Sequence, residues 1–115
     1  MNPPRYINRR IDVQLIATFF NVADKTIELY TRLTNTGNRD VEVHALKLVY
    51  LKIFAADVKR LLFHGENITL TIEPCLIPAG TYVEDVVWRL RTNYVPAHNA
   101  PTTSTWRGEI LCNAF

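Results

Sequence analysis

The stretch Thr26-Ile27-Glu28-Leu29-Tyr30-Thr31-Arg32-Leu33-Thr34-Asn35-Thr36-Gly37-Asn38-Arg39-Asp40-Val41-Glu42-Val43 decides the fold class. In its first half Ile27, Leu29, Thr31 and Leu33 alternate with Glu28, Tyr30, Arg32 and Thr34. That period of two sends one row of side chains to a buried face and the other to solvent. The six residues Asn35 to Asp40 bond their own backbone or tolerate left-handed conformations, so the chain reverses. Alternation then resumes with Val41, Val43 and Ala45 against Glu42 and His44. The segment reads as strand, turn, strand, a hairpin in which Gly37 is expected to take a positive φ.

Working outward, the same period appears upstream. Val13, Leu15, Ala17 and Phe19 alternate with a row containing Ile16 and Phe20, and Asn21 to Lys25 forms a turn. Downstream, apolar content rises through Leu46, Leu48, Val49, Tyr50, Leu51, Ile53 and Phe54. Helix and strand compete over residues 46–62, because Leu46, Val49, Tyr50, Ile53, Asp57 and Leu61 also fall on one helical face. The β-branched Val41, Val43, Val49 and Ile53 favour strand to about residue 53. Residues 55–62 are left open for one short helix. Gly65 reads as a turn, Ile68, Leu70 and Ile72 as a further strand, and Pro74 as its end. After a tight turn at Pro78-Ala79-Gly80, Val86, Trp88 and Leu90 alternate with Asp85, Val87, Arg89 and Arg91. Residues 93–104 make the longest loop, and Trp106, Ile110 and Cys112 belong to a final strand.

About seven short strands without interleaved long helices predict an all-β fold, an immunoglobulin-like antiparallel sandwich. Residues 1–10, with Pro3 and Pro4, read as a tail, and residues 11–115 as one domain. A chain of 115 residues with 48% apolar and 21% charged residues has enough material for one core. A net charge of +2 implies no field that gathers nucleic acid or anionic membrane. No apolar run reaches membrane-span length, and no signal peptide is visible, so the sequence gives no localisation.

The run Leu33-Thr34-Asn35-Thr36-Gly37 leading into Val41 and Val43 resembles the Asn-x-Gly hairpin of cell-adhesion-related domains of bacteria and archaea. Ile77-Pro78-Ala79-Gly80 before an alternating strand is similar to the proline-glycine turn those domains carry. Late-embryogenesis-abundant type 2 domains use comparable signals. The resemblance covers roughly residues 25–91. It implies an immunoglobulin-like sandwich acting as a spacer, binding module or stress-associated protein, with no catalytic residue set. The long loop before Trp106 and the lack of an export signal depart from that pattern.

Chemistry-bearing residues are sparse. A blue-copper site needs a cysteine closely followed by a histidine and a weak axial ligand, but Cys112 is followed by Asn113, Ala114 and Phe115, and the sole methionine is Met1. His44, His64 and His98 show no ligand-like spacing. Cys75 and Cys112 match no common zinc pattern; they are one disulfide or two thiols, and Cys112 reads as a small core residue. Glu84 and Asp85 are adjacent, so in a strand they face opposite ways and do not pair as acid and base. No catalytic residue, metal site or cofactor is expected, and the chain is read as a non-enzyme.

Two surfaces stand out. Ile16, Phe20, Leu48 and Tyr50 fall in the rows opposite the expected core and form a candidate interaction face, which points to a homo-oligomer or a protein partner. Arg89, Arg91 and Arg107 with Tyr94 form a candidate anion-binding face for nucleic acid or another anionic ligand. The leading expectation is a non-catalytic structural or protein-interaction module that oligomerises. The alternative is an anion binder, and the third reading is an enzyme whose site one sequence does not reveal.

Overall fold

The computed structural model describes residues 11–114, so the expected tail at residues 1–10 lies outside the described residues. Six strands are present: β1 (Ile11–Asn21), β2 (Thr26–Asn35), β3 (Val41–Ala55), β4 (Leu61–Ile77), β5 (Tyr82–Arg91) and β6 (Thr102–Ala114). They form two antiparallel three-stranded sheets, ordered β1-β2-β5 and β4-β3-β6. The first, second and fifth strands share a sheet, as strands A, B and E do in immunoglobulin sandwiches, and the third pairs with the sixth, as C does with F. The expected all-β sandwich is present, with six strands among the described residues against the about seven expected. Among the described residues there is no helix: Ala55 to Arg60 is a turn, with the Lys59 amide donating to Ala55 O at 2.8 Å and the Ala55 amide to Arg60 O at 2.8 Å.

The reversal at Asn35 to Asp40 is not a hairpin. β2 and β3 lie in different sheets, and the turn carries the chain from one layer to the other. What fixes it is Asn35, whose side chain is fully buried. Its Nδ2 donates to Arg39 O at 2.8 Å and to Ile77 O at 2.9 Å, while its Oδ1 accepts from the Gly37 amide at 3.0 Å. Its backbone donates to Thr81 O at 2.8 Å and accepts from the Gly80 amide at 3.0 Å. One residue thus ties together the exit from β2, the end of β4 and the start of β5. Gly80, with φ 71°, and not Gly37, is the glycine with positive φ among the described residues. It occupies the third position of the Pro78–Thr81 turn, closed by Thr81 N to Pro78 O at 3.1 Å, where a type II turn requires that conformation.

The core lies between the sheets. Ile27, Leu29 and Leu33 from β2, Val41, Val43, Leu46, Leu48, Leu51 and Ile53 from β3, and Trp88 from β5 are almost completely removed from water. The indole of Trp88 donates to Thr31 Oγ1 at 2.9 Å, and that hydroxyl donates to Val86 O at 2.9 Å, so the buried N–H has a partner. β3 and β4 run the length of the domain: a 15-residue strand rising about 3.3 Å per residue spans about 50 Å, and the longest dimension is 50 Å.

Gly65 and Pro74 do not bound β4; both lie inside it. Gly65 faces Leu51, and a Cβ there would sit 2.7 Å from Ile68 Cδ1 and 2.9 Å from Phe63 Cζ, so glycine makes room for two core side chains rather than for a turn. Pro74 falls in an irregularity of an edge strand, between the Val43–Cys75 and Ala45–Thr71 pairs, where its missing N–H costs no ladder bond.

Candidate interaction surface

Bulges decide which side chains reach the surface, because one extra residue reverses the facing of everything beyond it. In β1 the register shifts between Leu15 and Ala17, making Ile16 the extra residue. Ile16 is exposed as expected, at 56%, but Phe20 turns inward and packs against the core. Phe19 takes the outward position at 53% exposure, its ring meeting Tyr30 edge-on at 5.2 Å. In β3 the pairing with β6 shifts at His44 and again at Val49. Between those two bulges the facing is inverted, so Leu48 is a core residue at 1% exposure and not part of a surface. Tyr50 does face out, half-buried, in register with Arg107 and Glu66 on the outer face of β4-β3-β6. Ile16 and Tyr50 therefore belong to different sheets, and the four residues expected to form one interaction face do not.

The arginine face separates in the same way. Arg89 and Arg91 alternate with the buried Trp88 and Leu90 on the outer face of β5, whereas Arg107 lies on β6 in the other layer. Arg89 Nε donates to Glu28 Oε2 at 3.1 Å. Tyr94 is exposed on the loop after β5. Glu84 and Asp85 sit at a bulge of β5, with Asp85 at φ 58°, and Glu84 pairs with Arg32, whose guanidinium also lies over the Tyr82 ring, 5.3 Å from its centroid.

A surface that strand patterns did not reveal is a groove of about 760 Å³ on the side of the sandwich where β1 and β6, edge strands of opposite sheets, lie beside each other. Leu15 to Phe20 form one wall and His98 to Ser104 with Trp106 the other. The hydroxyls of Thr18 and Thr102 meet across it at 3.0 Å. Among the described residues no Asp, Glu, Lys or Arg lines it. A signal for it does exist in the sequence. With histidine counted as neutral, the longest charge-free runs are residues 92–106 (15 residues) and 13–23 (11 residues), and the fold sets them opposite each other.

Among the described residues the lining holds no carboxylate, and His98 has no acid–base partner there. Among the described residues no group of three His, Cys, Asp or Glu side chains is placed to hold a metal ion, and no helix is long and apolar enough to cross a membrane. Cys75 and Cys112 both register with Val43, on opposite sides of β3. Two strand spacings separate their Cα atoms by about 10 Å, beyond the roughly 7 Å reach of a disulfide, and no bond joins them. No protein-family model, curated protein or solved structure matches the chain.

Proposed function

We propose that this chain is a non-catalytic interaction module that assembles with further copies of itself. One observation carries the reading: Ile16, Phe19 and Val22, on edge strand β1 and the turn after it, are 56%, 53% and 51% exposed beside a charge-free groove. Burying the exposed half of each such side chain would gain about 0.8 to 1.5 kcal/mol, half the figure for full burial, and grouped on an edge they reward association. Natural edge strands are ordinarily guarded by charge, and this one carries a single charged residue, Asp12, at its start. Light scattering at micromolar concentration tests the reading. A dimer or larger assembly is expected; a monomer would overturn it.

Anion binding is the second reading, and it rests on Arg91 and Lys25, which line a shallow recess at the end of the β1-β2-β5 sheet. Asp24 shares that recess, and the Glu28 partner of Arg89 offsets charge nearby. Binding to random single-stranded DNA that weakens steeply with salt would favour this reading over self-assembly.

A further inference from the structure

We propose that the β1/β6 groove is the site of self-assembly, filled by strand addition: a second copy lays Thr102–Trp106 of its own β6 antiparallel to the same segment of the first, about a two-fold axis. The proposal rests on the self-assembly reading above and adds the place and the mode.

Four observations lead there. The first is backbone chemistry. β6 pairs with β3 alone, so along its other edge the N–H and C=O groups have no ladder partner among the described strands. An extended chain is the group that satisfies such a row, by β-augmentation. The second is architecture. In an immunoglobulin sandwich a seventh strand pairs with the sixth on that edge, and among the described residues none does; the groove lies where that strand would run.

The third observation is the contrast between the two sides of the molecule. On the far side, where β4 and β5 lie beside each other, the edges carry the usual guards: Glu66, Glu73 and Pro74 on β4, and Glu84, Asp85, Arg89 and Arg91 on β5. On the near side, Val13 to Asn21 of β1 and Thr102 to Trp106 of β6 carry no charge. The fourth is self-complementarity, which an interface on a two-fold axis demands because every group meets the same surface. Thr102-Thr103-Ser104-Thr105 pairs with itself as hydroxyl and β-branched cross-strand neighbours, a favourable combination. With the axis inside that run, the two copies of Arg107 are held apart rather than opposed. The partner's Thr102, Ser104 and Trp106 then face inward, toward β1 of the first copy, and cover its apolar wall.

Sedimentation velocity across the micromolar range tests this with matched charge substitutions. Thr103→Lys and Thr105→Lys, both at exposed positions, place two like charges near the axis. Each should raise the dissociation constant at least about tenfold, with an unchanged circular dichroism spectrum. Ile16→Lys, on the opposite wall, should weaken assembly as well. Leu76→Lys, at a residue 54% exposed on the guarded edge strand β4, should leave it unchanged. If the wild type assembles and both folded β6 variants assemble equally well, or if Leu76→Lys is the variant that dissociates, the groove is the wrong site while the self-assembly reading stands. A wild type that stays monomeric overturns both.

Discussion

Replacing Asn35 by alanine should cost more stability than any other single polar truncation in the domain, because the amide closes the junction of three segments. The substitution removes the bonds to Arg39 O, Ile77 O and the Gly37 amide, and leaves the two backbone bonds of residue 35, to Thr81 and Gly80, in place. At about 1 kcal/mol net per bond the direct loss is about 3 kcal/mol. The bond to Ile77 O is buried, so that carbonyl is orphaned without ready access to water, whereas the groups at Arg39 and Gly37 are part-buried and recover some hydration. The total should fall at about 3 to 4 kcal/mol, a large share of the roughly 5 to 15 kcal/mol that stabilises a typical domain. At about 4 °C per kcal/mol the melting temperature should drop by about 12 to 16 °C. Urea unfolding followed by the emission of the buried Trp88 measures it directly. A loss below about 1 kcal/mol would mean that water replaces the amide and that the turn holds itself. Asn35→Asp separates donor from acceptor: it keeps an acceptor for Gly37 but sets a carboxylate against two carbonyls, so at neutral pH it should be at least as damaging as alanine.

Thr31→Val preserves shape and removes the acceptor of the Trp88 indole, which should destabilise the protein by about 1 to 3 kcal/mol, while Thr31→Ser should keep most of the stability; equal urea midpoints for wild type and valine variant would refute the role given to the hydroxyl. Gly80→Val should cost about 1 to 3 kcal/mol from its positive φ, and Gly37→Val should stay within about 0.5 kcal/mol; thermal melts showing the reverse order would contradict the turn assignments. Reductant should leave the melting curve unchanged, because Cys75 and Cys112 are kept apart by β3, and a thiol reagent should label the partly exposed Cys75 well before the buried Cys112. A reductant-sensitive melt would show that the two are bridged.

The sequence by itself determined the class of fold and the facing of any strand that runs without interruption. Ile27, Leu29, Thr31 and Leu33 in β2, and Val86, Trp88 and Leu90 in β5, point inward as their alternation requires, since a pleated strand offers only two directions. It also placed the turns near Asn35 and Gly80, where amide side chain and glycine have specific local chemistry.

Only the tertiary structure decided where alternation breaks. Ile16, His44 and Val49 are bulged because two strands of unequal local length must pair, and nothing in those residues announces it. That is why Phe20 and Leu48 belong to the core and Phe19 to the surface. Gly65 and Pro74 carry turn propensity, yet pairing with β3 keeps both in one long strand. Layer assignment was equally out of reach, so neither the separation of Arg107 from Arg89 nor the sheet change after Asn35 was legible. The charge-free runs at residues 13–23 and 92–106 were visible from the start. That they face each other depends on which edges the two sheets align, a long-range outcome that local sequence does not encode.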